Sequence, residues 1–95
     1  MKMMTWMNMM TKKYRKIPVE IEAVHHDSFN QKTLDALVAF GEGDVTVDYQ
    51  NEKVFVKTIN GVVTVNKNEY IIKGVNGEFY PCDYEIFHKT YEEVQ

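Results

Sequence analysis

Hydrophobic and polar side chains alternate with a period of two along much of this chain, which is the spacing of half-buried β-strands. In the first such stretch Val19, Ile21 and Ala23 alternate with glutamates, and Pro18 suits the start of an edge strand. Similar stretches follow at about 45–49, 54–59, 62–65, 70–75 and 78–82. The pattern therefore predicts about five to six short strands.

One stretch has helical spacing instead. Leu34 and Leu37 are three residues apart and begin an apolar stripe along one side of a helix. Ser28, with a glutamine three residues later, has the spacing of a capping box. Gly41 suits the position that follows a last helical turn. The sequence predicts one long helix, at about 29–40.

Two Asn-Gly dipeptides, at 60–61 and 76–77, lie between consecutive predicted strands. Asn-Gly favours positive φ at both central positions, as the type I′ turn of a two-residue hairpin requires. Tight turns of this kind predict an antiparallel β-meander. The expected fold is α+β: a twisted antiparallel meander sheet of about five to six strands, the main helix on one face, and a short C-terminal helical turn capped by Asp83.

The hairpin at 69–82 also carries a prediction about faces. A two-residue loop would place Lys73 opposite Tyr80, and side chains alternate along each strand. One face would then carry Ile71, Lys73, Val75, Glu78, Tyr80 and Cys82. Since Gly74 allows close approach, we expect the helix to cover the other face, with Tyr70, Ile72 and Phe79. The face with Lys73 and Tyr80 would be exposed and partly apolar, as association sites often are.

Charge is distributed unevenly along the 95 residues. Residues 1–16 hold five Lys or Arg and no acid, whereas residues 17–95 hold six lysines and fourteen acids. An acidic body argues against binding of duplex nucleic acid, because that affinity grows with the number of phosphates neutralised. The basic arm remains suited to a small anion. No stretch reaches the roughly 20 apolar residues of a membrane span, so no membrane partner is expected.

Residues 1–11 form a leader that holds all six methionines and the single tryptophan. Chain ends are usually poorly ordered unless something holds them, which favours a disordered leader. The alternative is a Met/Trp surface that packs on a neighbouring subunit. Residues 12–95 are expected to form one α+β domain. The single cysteine, Cys82, fits a reducing cytoplasm.

No side chains with catalytic or metal-binding spacing are recognisable. Ser28 is the only serine and serves better as a helix cap, and Cys82 has no evident activating partner. His25 and His26 are adjacent, so on a strand they point to opposite faces and cannot hold one metal ion together. The glycines fit turns, a cap and a packing position. The sequence therefore predicts a protein that is not an enzyme and that uses no metal or cofactor.

Aromatic residues make up 13% of the chain, and several lie close to basic residues. Aromatic rings stack on nucleobases, while Arg and Lys pair with phosphates. The candidate ligand-binding residues on this basis are Tyr14, Arg15, Lys16, Lys73 and Tyr80. For any one of them the simpler interpretation is a ring that fills the sheet or a solvated cation. The cluster as a whole favours recognition of a ligand.

Several blocks of the sequence resemble a widespread family of small phage and prophage proteins. They are KYRKIPVEIEAV at 13–24, YIIKGVNGEFYPC at 70–82, and the Ile-Phe and Thr-Tyr-Glu groups within 86–92. Members usually have Pro-Gly-Asp-Tyr before the second block, where this chain has KNEY at 67–70 and keeps only the acid and the tyrosine. The resemblance spans about residues 12–92, and the leader lies outside it.

That family is similar to the phage anti-CBASS sponges, which sequester cyclic dinucleotide signals such as 3′3′-cGAMP as oligomers. The resemblance implies binding without turnover in the host bacterial cytoplasm, which keeps the signal from an immune effector. A ligand with two-fold symmetry fits a two-fold interface, so we expect a homodimer or tetramer with ligand at the subunit boundaries.

Two other functions remain open from the sequence. The first is a phage protein that inhibits or modulates a host protein by direct contact, through the predicted face with Lys73 and Tyr80. The second, which the sequence supports least, is a small hydrolase that uses Cys82 and His88.

Overall fold

The computed structural model describes residues 11–94, which hold six strands and two helices. These are β1 Glu22–His25, α1 Gln31–Gly41, β2 Val45–Asp48, β3 Lys53–Thr58, β4 Gly61–Val65, β5 Tyr70–Lys73, β6 Phe79–Cys82 and α2 Tyr84–Thr90. The α+β class, the main helix and the short C-terminal helix are confirmed. The leader, apart from Thr11, lies outside the described residues. Within them, no helix is long and apolar enough to cross a membrane.

The strands form two three-stranded antiparallel sheets, not the single meander that the turns predict. Sheet 1 has the order β1-β5-β6, and sheet 2 has the order β2-β3-β4. The chain leaves sheet 2 at Asn68, which has a φ of 78° and donates its amide to the carbonyl of His26 at 2.6 Å. The amide of His26 in turn donates to the carbonyl of Glu69 at 2.8 Å. These bonds draw β5 onto β1 instead of β4.

The main helix begins and ends within two residues of the predicted bounds. Its N-cap is Asn30, not Ser28: the Asn30 side chain accepts the Thr33 amide at 2.8 Å. At the other end, Glu42 adopts the left-handed conformation that ends the helix. Gly41 lies inside the last turn, where a Cβ atom would collide with the side chain of Val45. Glycine there lets the helix end approach β2.

The core lies between α1 and the two sheets. Its buried members are Leu34, Leu37, Val45, Val54, Val56, Val65, Ile71 and Phe79. Ile72 is also fully buried but does not belong to this cluster, because adjacent strand residues point to opposite faces. At Ile72, the outer side of sheet 1 is therefore covered as well.

The β5–β6 hairpin has a register one residue away from the predicted one. Lys73 pairs with Phe79, not with Tyr80. Gly77 has a φ of 82°, but Asn76 does not have positive φ, and the Gly77 amide donates to the carbonyl of Gly74 at 3.0 Å. This is a three-residue loop with a type I turn followed by a left-handed glycine, not a type I′ turn.

A slip of one residue exchanges the two faces of a strand. The core side of sheet 1 carries Val24, Ile71, Lys73 and Phe79, and its outer side carries His25, Tyr70, Ile72, Tyr80 and Cys82. The predicted exposed face is therefore wrong. Ile71 is fully buried in the core, and Lys73 and Tyr80 point to opposite sides of the sheet.

Candidate functional site

The outer side of sheet 1 carries a continuous group of aromatic and histidine side chains, to which α2 contributes about half. We call this group the aromatic band; its members are His25, Tyr70, Tyr80, Tyr84, Phe87, His88 and Tyr91. On α2 and just after it, the four members at 84, 87, 88 and 91 have a spacing that places them on one side of a helix. That side packs against the sheet.

A capping residue fixes where α2 begins. The carboxylate of Asp83 accepts the amides of Glu85 and Ile86 at 3.0 and 3.1 Å, as the sequence predicts for a cap. Phe87 then stacks flat on Tyr70, with ring centroids 3.8 Å apart and planes 6° from parallel. Because β5 is the middle strand of sheet 1, this stack anchors α2 to the centre of the sheet.

Tyr70 also joins two histidines to the band. The His25 ring stacks on Tyr70 at 4.5 Å, and His25 Nε2 lies 2.7 Å from Oδ1 of Asn68. His88 Nε2 lies 3.0 Å from the Tyr70 hydroxyl. Burial raises the pKa of the Tyr70 hydroxyl, and the electrostatic effect of the neighbouring Tyr84 and Glu93 raises it further. The hydroxyl therefore stays protonated near neutral pH.

The basic arm meets the band at Tyr91. The Lys16 ammonium lies 5.0 Å from the centroid of the Tyr91 ring, a cation–π distance. The side chain of Tyr91 also lies near Tyr80. Burial first, and then the neighbouring Tyr91 side chain, raise the pKa of Tyr80 to about 12. Two of the residues predicted from sequence, Lys16 and Tyr80, thus meet at one aromatic ring.

The other three predicted residues have different positions. Tyr14, with 89% of its surface exposed, and Arg15 lie on the arm directly before Lys16, within residues 11–21 that form neither helix nor strand. Lys73 lies on the core side of sheet 1, and its ammonium is 2.8 Å from the carboxylate of Glu42. The structure therefore separates Lys73 from the other four.

A cleft of about 500 Å³ lies beside Lys73, but its chemistry does not suit an anion. Glu20 and Glu22 line it with Lys73, so the carboxylates outnumber the lysine. Glu42 already neutralises that lysine and raises its pKa through a hydrogen bond and its negative charge. An anionic ligand would meet net repulsion there.

Sequence reasoning missed most of the aromatic band. The predicted register placed Tyr70 on the face covered by the main helix. His25 and His88 were considered only for metal binding and catalysis, and Phe87 and Tyr91 were not proposed as ligand-binding residues. The signal was present in the spacing of the residues at 84, 87, 88 and 91, since rings at positions i, i+3, i+4 and i+7 after a cap predict one aromatic helix side. What the sequence could not supply was the strand on which that side packs.

The band holds polar groups but no activated nucleophile. Burial raises the pKa of the Cys82 thiol, and the nearby carboxylate of Asp83 adds to that effect, so the thiol stays protonated at neutral pH. Among residues 11–94, no group of three or more His, Cys, Asp or Glu is placed to hold a metal ion. The aromatic band therefore offers flat ring faces, neutral hydroxyls and one flanking cation.

Comparisons of this chain with protein-family models, with curated proteins and with solved structures found no match.

Proposed function

We propose that this protein binds and sequesters a cyclic dinucleotide immune signal, such as 3′3′-cGAMP, without cleaving it. In this proposal it is a phage protein that acts in the host bacterial cytoplasm and inhibits CBASS defence. The observation that carries the proposal is the meeting of Lys16, Tyr91 and Tyr80 at the edge of the aromatic band. It combines a cation for a phosphate with ring faces for a base.

The ligand's chemistry matches these groups. A cyclic dinucleotide presents two flat bases and two phosphates, and base–aromatic stacking is worth about 1–3 kcal/mol per base. Arg15 and Lys16 are exposed on the arm and supply donors to phosphate. Tyr14, exposed beside them, supplies one further ring face.

The protonation states within the band also favour an anionic ligand. The hydroxyls of Tyr70 and Tyr80 are neutral at neutral pH, as ordinary tyrosines are, and their raised pKa values extend that state to higher pH, so neither repels a phosphate. The raised pKa of Cys82 keeps its thiol unreactive. Both features support binding without turnover.

The proposal includes a homo-oligomer, a dimer or tetramer, with ligand at the subunit boundaries. Tyr84 and His88 are exposed on the band, so one copy leaves part of its ring surface open to solvent. A two-fold ligand between two such bands would contact the same residues twice. Each copy would then need only one cationic arm.

Isothermal titration with a panel of cyclic di- and trinucleotides tests the proposal. At least one cyclic dinucleotide should bind, and heat denaturation of the complex should release that ligand chemically intact. Absence of binding across the panel would refute sequestration. Recovery of a linear product would instead show turnover.

A further inference from the structure

Strand β4 forms one outer edge of sheet 2, and its surface is apolar. No strand among residues 11–94 pairs with its far side. Val62 and Val63, in β4, are 64% and 38% exposed, and Ile59 in the preceding turn is 83% exposed. Such an edge presents unpaired backbone groups to solvent and serves as a template for another strand.

The other three outer edges carry the usual protection against strand pairing. Glu22 lies in β1, Asp48 ends β2, and Pro81 removes a backbone N–H from β6. By contrast, residues 58–66 contain no charged residue and no proline. Of the four outer edges, β4 alone is left open and neutral.

The core is also incompletely covered at this edge. Val63 pairs with Val56 and Val65 pairs with Val54, so Val63 and Val65 share the core side of sheet 2. Val65 is buried, as are both partners on β3, but Val63 remains partly exposed. The apolar layer on the core side of sheet 2 therefore extends to the edge strand, where Val63 is left partly exposed to solvent.

We propose that β4 pairs antiparallel with β4 of a second copy of this chain, about a two-fold axis at Val63. Gly61 of each copy then lies opposite Val65 of the other, and Val62 lies opposite Thr64. The two Val63 side chains meet on the core side, with Cβ atoms about 4.5–5.5 Å apart. The result is a continuous six-stranded sheet.

A second copy fits this edge because the paired segment is neutral and self-complementary. No pair of like charges faces across the axis, because residues 61–65 carry no charged side chain. A two-fold contact uses the same edge on both copies, so assembly through β4 stops at a dimer. The inference rests on the strand alone, and the dimer forms without any ligand.

Sedimentation velocity of the full chain, over a wide concentration range and without ligand, tests the dimer. We expect a concentration-dependent monomer–dimer equilibrium. Val63→Lys places two like charges at the axis and should weaken the dimer at least tenfold. Val75→Lys is the matched control, since Val75 is equally exposed as Val62 but lies in the β5–β6 loop, and it should dimerise like the wild type. A wild-type monomer throughout, or an unaffected Val63→Lys dimer, would overturn the inference.

Cross-linking decides the question if Val63→Lys fails to fold. In a Cys82→Ser background, Val63→Cys should form a disulfide-linked dimer on mild oxidation, because paired Cα atoms at the axis lie within disulfide reach. Val75→Cys in the same background should stay monomeric. Equal cross-linking of both variants, or of neither, would contradict the proposed axis.

Discussion

Replacement of Ile71 by alanine tests the register of the β5–β6 hairpin. In the structure Ile71 is fully buried against the core, so truncation should leave a cavity. Ile→Ala changes at such sites cost about 2–5 kcal/mol of unfolding free energy. For a domain of this size, 1 kcal/mol shifts the melting temperature by roughly 4–8 °C, so a loss of more than 8 °C is expected.

Val75→Ala is the matched control for this measurement. A two-residue Asn-Gly loop would place Ile71 and Val75 on one exposed face, and both substitutions would then cost less than about 0.5 kcal/mol. In the structure only Val75 is exposed. Urea unfolding followed by circular dichroism measures both variants, with unchanged slopes as the check on two-state behaviour. Equal stabilities for the two variants would refute the register.

Three further predictions concern pH, ligand binding and packing. Burial lowers the pKa of His26 below its ordinary value of 6.5, so on acidification the unfolded chain takes up a proton at His26 before the folded chain does. The contribution of His26 to the unfolding free energy should therefore be full above that pH and should fall as the pH drops below it. The unfolding free energy of His26→Gln, measured by chemical denaturation, should fall less than that of the wild type between about pH 7.5 and about pH 5.5. An equal fall in both proteins would contradict this. Lys16→Ala should weaken cyclic dinucleotide binding by roughly 1.5–3 kcal/mol in calorimetry, while Lys32→Ala, on α1, should not; equal affinities would remove Lys16 from the site. Gly41→Ala should lower the melting temperature because its Cβ would collide with β2, and an unchanged value would disprove that contact.

Local signals predicted the helices well because caps act over a few residues. Asp83 accepts two amides of its own first turn, and nothing distant is needed for that. For α1 the sequence predicted Ser28 as the cap. The structure uses Asn30, which moves the helix start by two residues.

The hairpin register depended on a choice that Asn-Gly alone does not settle. The dipeptide is compatible with a type I′ turn and with a type I turn followed by a left-handed glycine. In the structure the carboxylate of Glu78 accepts the amide of Asn76 at 3.0 Å, and the Gly74 amide donates to the carbonyl of Glu78 at 2.7 Å. These bonds support the three-residue loop. One extra loop residue was enough to exchange the predicted faces.

The two-sheet arrangement and the candidate site depend on contacts far apart in sequence. No local turn signal predicts the pairing of β1 with β5, because a long stretch of chain separates the two strands. The same pairing places His25 beside Tyr70, and α2 then completes the aromatic band. Residue chemistry alone predicted Lys16 and Tyr80 as candidates, but only the folded chain shows that both lie near Tyr91.

Chemical-shift mapping tests the central claim most directly. Isotope-labelled protein would be titrated with 3′3′-cGAMP while backbone amides are followed by nuclear magnetic resonance. The account predicts saturable shifts that are largest at Lys16, Tyr80 and Tyr91. Shifts confined to the cleft of Glu20 and Lys73, or no shifts at saturating ligand, would contradict it.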